Sequence, residues 1–518
     1  MMRVVTVGDM RRLEQAAVDS GTSYKALMER AGTAAADEFE RRYGHNASHT
    51  LILCGNGNNG GDGFVTARRL AANGHRVTVL LVSGEPQTAL AAEMLAMLDT
   101  QIARYELPQE PLSAEAFLTR PLFDDVSHVV DAVYGIGFHG ALPTVHAMLF
   151  DRVRERSCPV LAVDIPSGVY ADDGTYDAHT LQADVTVTFT AEKPYVAVPS
   201  CRELCGETVV CSVGIDEGVC RTYETSLTMT DDVFVRACLP RRRANGHKGT
   251  YGRLLSVCGS YGMAGAALLA GRAALRMGLG LLYMAVPNSI YPITAGALLE
   301  AVYHPLPESA NGAVAEVSQA VLDSAVNGKD AVLVGCGLST AEETSSFLRR
   351  WVPSVRCPMI LDADGLNAFS EHILMLKART APTVITPHPA EAARLLGWTV
   401  TQVERDRFAS VRQLAEKTGA VTVLKGHRTL IATPSGEVFL NPTGCSGLAT
   451  GGSGDILSGM IASLLAQGVS PCQAACCGVY LHGLASEVTA ARLSETAMLP
   501  SDLLWDLASL LSQFETRE

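Results

Sequence analysis

Three short stretches of the chain combine residue types that do chemistry. The first is Gly55-Asn56-Gly57-Asn58-Asn59-Gly60-Gly61-Asp62-Gly63, which follows an apolar run and opens a helical pattern. Glycines let backbone N–H groups approach a phosphate, and a helix N-terminus favours negative charge. Gly55, Gly57 and Gly60 satisfy G-x-G-x-x-G, the spacing of a dinucleotide-binding turn. The acidic residue expected about 20 positions on is matched only loosely by Glu85, so hydride transfer is poorly supported. Two carboxamides and a carboxylate exceed what a phosphate loop needs; they suit a polar ring, a ribose or an oxygen-loving cation.

The second stretch is a pair of strand ends. Asp131 is followed by Tyr134-Gly135-Ile136-Gly137-Phe138-His139-Gly140-Ala141, and Asp164 by Ile165-Pro166-Ser167-Gly168. Ligands of open parallel sheets sit outside the carboxyl ends of strands, so these ends and the first glycine run point to one crevice. The third stretch, Thr443 to Asp455, contains Gly451-Gly452-Ser453-Gly454-Asp455 ahead of an apolar helix. A glycine-rich entry to a helix makes an anion hole. Asp455 beside it is placed to be a base for transfer of a phosphoryl group to a hydroxyl.

The elements that must position these groups alternate strand and helix. Leu51–Cys54, Arg76–Val82, His128–Asp131, Val160–Asp164 and Val185–Phe189 read as strands, preceded by helices near Met10–Asp19 and Tyr24–Arg41. The rhythm lapses between about Ile215 and Gly249, where Pro240, Arg241–Arg243 and Asn245-Gly246 suggest a linker. A second series follows: Arg253–Cys258, Leu282–Val286, Ala331–Val334, Met359–Leu361, Thr383–Thr386 and Val421–Leu424, then helices near Asp455–Leu465 and Gln473–Leu493. Such alternation implies parallel sheets covered on both faces. The expectation is two α/β domains, residues 1–225 and 226–518.

Composition narrows the class. The 518 residues carry 41 Lys+Arg against 54 Asp+Glu, a net charge of −13, which argues against a nucleic-acid partner. Apolar residues at 47% supply a core, and the apolar stretch Ala264 to Pro287 is broken by Arg272, Arg276 and glycines, so no membrane span is expected. The first residues lack the apolar segment of a secretory signal. The 14 cysteines include no CxxC pair and read as thiols of a reducing cytoplasm.

Two sets of motifs carry a family resemblance. NGNNGGDGFVTARRL, DAVYGIG with DIPSG, and LMERAG resemble the epimerase domain of the bifunctional NAD(P)H-hydrate repair enzymes over about the first 220 residues. The resemblance implies that Asn58, Asn59, Gly60, Gly61 and Asp62, together with Gly135, Ile136, Gly137, Phe138, His139, Gly140 and Ala141, hold the hydrated nicotinamide nucleotide. It implies that Asn59, Asp131 and Ser167 ligate K+, and that Asp164 contacts substrate as the acid/base group. The family usually has Thr where Ile136 stands, which removes one hydroxyl from that loop.

His247-Lys248-Gly249-Thr250-Tyr251-Gly252-Arg253, Gly259-Ser260 with Gly265-Ala266, Thr386-Pro387-His388-Pro389-Ala390-Glu391, Lys425-Gly426-His427-Arg428-Thr429 and the Asp455 run resemble the ADP/ATP-dependent NAD(P)H-hydrate dehydratase domain. This resemblance spans about residues 230–510. It implies a Rossmann-like three-layer domain followed by a ribokinase-like α/β domain. It also implies that Ala266, Gly335, His388 and Asp455 contact substrate, with Asp455 as base. Lys425, Gly426, His427, Arg428, Thr429 and Gly454 would bind the adenine nucleotide, with Mg2+ accompanying ADP. The implied partners are NADHX, NADPHX and ADP, with ATP as the other candidate, in a cytoplasmic homo-oligomer. The alternative expectation is a ribokinase-like small-molecule kinase with an N-terminal nucleotide-binding domain, which would share the GSGD run but not NNGGDG with DIPSG.

Overall fold

The computed structural model describes residues 4–44, 48–216 and 227–514. The chain divides into two compact units, Arg3–Thr225 and Ser226–Glu518.

The first unit is a seven-stranded sheet in the order β3-β2-β1-β4-β5-β6-β7, parallel throughout. Its strands are β1 Thr50–Cys54, β2 Val77–Leu81, β3 Ala103–Glu106, β4 His128–Ala132, β5 Val160–Val163, β6 Val185–Phe189 and β7 Glu207–Cys211. Alternate residues of β1 feed opposite faces. Ile52 and Cys54 pack with the helices Val7–Asp19, Tyr24–Tyr43 and Asn58–Ala72. Leu51 and Leu53 pack with Pro111–Leu118 and Thr144–Arg156. The unit is therefore a three-layer sandwich of helices about a sheet whose central strands are covered on both faces. The strand order reverses between β1 and β4, which opens a crevice at their carboxyl ends.

The second unit is a ten-stranded sheet, β11-β10-β9-β12-β13-β14-β15-β16-β17-β8. It comprises β8 Leu227–Met229, β9 Arg253–Val257, β10 Leu281–Pro287, β11 Val302–Leu306, β12 Ala331–Val334, β13 Met359–Leu361, β14 Thr383–Ile385, β15 Val421–Leu424, β16 Leu430–Ala432 and β17 Val438–Leu440. The run from β11 to β15 is parallel, and β15, β16 and β17 then pair antiparallel. One face, including Leu254, Leu282, Met284, Leu333 and Ile360, buries against the helices Ala264–Arg276, Ser453–Ala466 and Pro471–Leu493.

The supposed linker holds ordered elements. Leu227–Met229 pairs in parallel with β17 at the far edge of the sheet, and Asp232–Cys238 is a helix capped by the Asp231 side chain. Three residues of strand carry too little periodicity to be read from sequence. Residues 217–226 of the same stretch lie outside the described residues.

Candidate active sites

In the first unit, β1 hands the chain to the helix Asn58–Ala72 through the glycine run. No side chain caps this helix, whose N-cap is Gly57, so its first N–H groups are left for a ligand. Several of the glycines are required by backbone packing. A Cβ on Gly60 would lie 1.9 Å from the Gly55 carbonyl oxygen, and one on Gly55 would lie 2.0 Å from that of Val133. These contacts press the helix entry against the end of β4 and bring Asn59 beside the next loop. A Cβ on Gly135 would sit 3.0 Å from both Asn59 Oδ1 and Asp164 Oδ2, so Gly135 is the spacer between those side chains.

The result is a cavity of about 350 Å³ at the strand reversal. Its wall includes Asn58, Asn59, Asp62, Gly135, Ile136, Gly137, Phe138 and Asp164 from the sequence-derived set. Gly60 and Gly61 stand behind it, packed on Gly55 and Met28. His139, Gly140 and Ala141 are exposed and are not part of the cavity wall.

Asp164 is the anchored centre. Its backbone has φ +69°, a conformation most side chains avoid. Its Oδ1 accepts from Lys193 Nζ at 2.9 Å, and its Oδ2 accepts from the Ile136 amide at 3.1 Å. Lys193 is wholly buried and also donates to Thr188 Oγ1 at 2.5 Å and to the Phe189 carbonyl at 3.1 Å. Lys193 and Glu14, both in the cavity wall, escape sequence reading. A lone Lys after a strand and a Glu on an amphipathic helix have no local signature. Burial first, and then the Asp164 charge, push the Glu14 carboxyl up; burial, Asp164 and Glu14 push Asp62 well above the usual carboxylate range.

Asp131 and Ser167 form a separate buried pair. Asp131 accepts from the Ser167 amide at 2.8 Å, the Ser167 hydroxyl at 2.6 Å and the Val133 amide at 3.2 Å. Ser167 Oγ in turn accepts from the Tyr134 amide at 2.8 Å, so Asp131, Ser167 and Asn59 all flank Tyr134-Gly135. Burial raises the Asp131 carboxyl despite those three bonds. A buried carboxylate with only neutral donors, next to the Ser167 hydroxyl and with Asn59 Oδ1 at the same Tyr134-Gly135 turn, offers the oxygen donors that suit a monovalent cation.

The second unit converges on the ends of β12, β13 and β15. Asp362 ends β13 and is almost fully buried; its Oδ1 accepts from Lys425 Nζ at 2.8 Å and its Oδ2 from Ser458 Oγ at 2.7 Å. Ser458 lies on the helix Ser453–Ala466, which starts at Gly452 with φ +102° and has no side-chain cap. Asp455 sits in its first turn. Asp455, Asp362 and Cys336 place one polar atom each within 4.8 Å of one another. Burial, then the Asp362 charge, push the Asp455 carboxyl up to about 6. Burial opposes the charge on Lys425, but Asp362 and Glu391, the latter 3.9 Å away, outweigh it and hold the ammonium above its ordinary value.

The other expected residues take defined places. A Cβ on Gly454 would lie 3.4 Å from Lys425 Nζ. Gly335 has φ +135° and backs onto the Asp362 carbonyl, where a Cβ would be 1.8 Å away. Ala266 packs against Gly337. His388 caps the helix Pro389–Leu396: its Nδ1 accepts from the amides of Ala390 and Glu391, which leaves the proton on Nε2. Burial and Lys425 hold this imidazole below its usual range. Lys425 to Thr429 form the tight connection of the β15–β16 hairpin, with Thr429 Oγ1 donating to the Gly426 carbonyl at 2.9 Å. Buried Arg407 supports it from beneath through the carbonyls of His427 and Leu424. Asp362 was missed in the sequence although Met359–Leu361 reads as a strand; it is the same strand-end carboxylate that exposed Asp131 and Asp164.

Two family models match the chain. Residues 24–195 match the family model of the YjeF-related protein N-terminus, and residues 254–508 that of NAD(P)H-hydrate dehydratase. A bifunctional NAD(P)H-hydrate repair enzyme of Moorella thermoacetica is 37% identical, over 99% of this chain and 97% of its own. One from Escherichia coli is 35% identical, over 97% of this chain and 93% of its own. Among solved structures, a ribokinase-like superfamily protein of Enterococcus faecalis superposes with TM-score 0.50 at 25% identity, over 57% of this chain and 99% of its own. Among the described residues, no helix is long and apolar enough to cross a membrane.

Proposed function

This chain belongs to the bifunctional NAD(P)H-hydrate repair enzymes, and from that premise we propose that its two units act in sequence on hydrated NADH and NADPH. The first unit interconverts the two epimers at C6 of the hydrate. The second converts the S epimer back to NAD(P)H at the expense of ADP.

What supports this reading is a repeated device: in each unit a helix N-terminus without a side-chain cap lies beside a strand-end carboxylate. In the first, Asn58, Asn59, Asp62, the Gly135–Phe138 segment and Asp164 line the cavity and hold the hydrated ring. Inversion breaks and remakes a bond at C6, by loss and return of hydroxide or by ring opening, and Asp164 exchanges the proton. Asn59, Asp131 and Ser167 would hold K+, which would fix substrate and loop orientation.

In the second unit hydroxide is a poor leaving group, and phosphorylation makes it a good one. Asp455 takes the proton of the C6 hydroxyl as that oxygen attacks the terminal phosphorus of ADP, and AMP departs. The phosphate then leaves with the C6–O electron pair, helped by the ring-nitrogen lone pair, and loss of a C5 proton restores the double bond. A carboxyl pushed up to about 6 is a usable base near neutrality. Ala266, Gly335 and His388 border the substrate, and Lys425–Thr429 with Gly454 the nucleotide. Mg2+ would enter with the nucleotide phosphates: Cys336, within the compact Asp362–Asp455 group, is a poor ligand for so hard an ion. The same reading would put the enzyme in the cytoplasm as a homo-oligomer.

The test is a mixture of both epimers with ADP, followed by absorbance of the reduced cofactor. The unaltered protein should restore all of it. Asp164→Ala should stop after the S share. Equal yields from the two proteins would refute the epimerase assignment, and full dehydration by Asp455→Ala would refute the base. Accumulation of a stable phosphorylated product would favour a small-molecule kinase.

A further inference from the structure

Lys193 and Glu14 face the Asp164 cavity and have no part in the scheme above. Lys193 donates three hydrogen bonds, to Asp164, Thr188 and Phe189, so all its protons are engaged. Its geometry is that of an anchor: with its other two protons held by Thr188 and Phe189, the ammonium pins one oxygen of Asp164 and leaves the other toward the Ile136 amide. Glu14 reaches the same cavity from the helix Val7–Asp19, and no hydrogen bond from the described residues ends on its carboxyl oxygens. The groups facing Asp164 are Lys193, Glu14, Asp62 and Tyr195; those facing Glu14 are Asp164, Asp62, Lys193 and Arg11. One carboxylate beside a cation and one carboxyl beside carboxylates are the makings of a base and an acid.

We propose that Lys193 is the positioning residue that fixes the orientation of the Asp164 side chain in the cavity, and that Glu14 is the general acid paired with Asp164 in epimerisation. This rests on the epimerase reading of the first unit. Glu14 gives its proton to the C6 hydroxyl as the C6–O bond breaks, the bonding pair leaving with oxygen as water. The ring-nitrogen lone pair forms the N1=C6 bond. A water then attacks C6 from the other face, Asp164 takes its proton, and the N1=C6 pair returns to nitrogen. Proton exchange with solvent resets both groups, and the reverse reaction runs with their roles exchanged. The upward push that burial and Asp164 exert on Glu14 supports the acid role.

The experiment compares the full-length protein with Lys193→Met and Glu14→Gln, supplied with R-enriched hydrate and ADP over a range of pH. Dehydration of the S share, in the other unit, is the internal reference. Each variant should slow epimerisation at least about 100-fold with dehydration unchanged. Lys193→Met should lower kcat of epimerisation with KM little changed, Lys193→Arg should recover part of the loss, and Glu14→Gln should abolish the alkaline limb of the epimerisation profile. Epimerisation within about 3-fold of the unaltered protein, a Lys193→Met loss that Lys193→Arg does not relieve, or a Glu14→Gln loss with an unmoved pH profile overturns the proposal. Glu14 is partly exposed on an outer helix, so Glu14→Gln keeps the test decisive if Lys193→Met does not fold. Absence of epimerisation in the unaltered protein would instead overturn the underlying reading.

Discussion

Replacing Asp455 by Asn should abolish dehydration and, at the same time, stabilise the second unit. The carboxyl stands at about 6 against an ordinary 3.8, because burial and Asp362 disfavour its charge. Two pH units correspond to about 2–3 kcal/mol of differential interaction. The sign follows from a raised folded value. The protonated form favours the folded state fully below pH 3.8, and that contribution is lost as pH rises through 6. At pH 8 the native protein therefore carries an unfavourable charge that Asn does not. Urea denaturation should show Asp455→Asn more stable by about 2 kcal/mol at pH 8, with the gain falling below about 1 kcal/mol at pH 4. Trp351, Trp398 and Trp505 all lie in the second unit, so tryptophan fluorescence reports on the relevant transition. A gain that is absent, or equal at both pH values, would refute the electrostatic account of this site.

Other consequences are equally measurable. The kcat/KM of dehydration should rise through about pH 6 as Asp455 loses its proton, and Asp455→Asn should leave no activity to follow. Lys425→Met strands buried Asp362 without its cation and should cost about 3–5 kcal/mol in a thermal melt of the second unit. Gly60→Ala forces a Cβ against the Gly55 carbonyl and should lower epimerisation while dehydration persists. Replacing K+ by a bulky ammonium ion should slow epimerisation alone, and Asp131→Asn should erase that difference.

The sequence disclosed what regular packing repeats. Fully covered strands such as Leu51–Cys54 and Ala331–Val334 are plain apolar runs, and strand-end carboxylates stand out against them. Edges were harder. Ala103–Glu106 is exposed at all four positions, and Leu227–Met229 and the β16–β17 hairpin have three residues per strand. The first lacks a buried face, and three residues are too few to show a period. In the sites, residues within glycine-rich motifs were legible because backbone crowding and a helix entry demand them. Lys193 and Glu14 were not, because their meaning arises only when β6 and the first helix meet at Asp164.

The central claim is that two independent active sites act in series. Asp455→Asn given pure R hydrate and ADP, with the epimers resolved chromatographically over time, tests it most directly. Conversion of R to S without any reduced cofactor is the expected result. Formation of NADH by this variant, or failure of the S epimer to appear, would contradict the account.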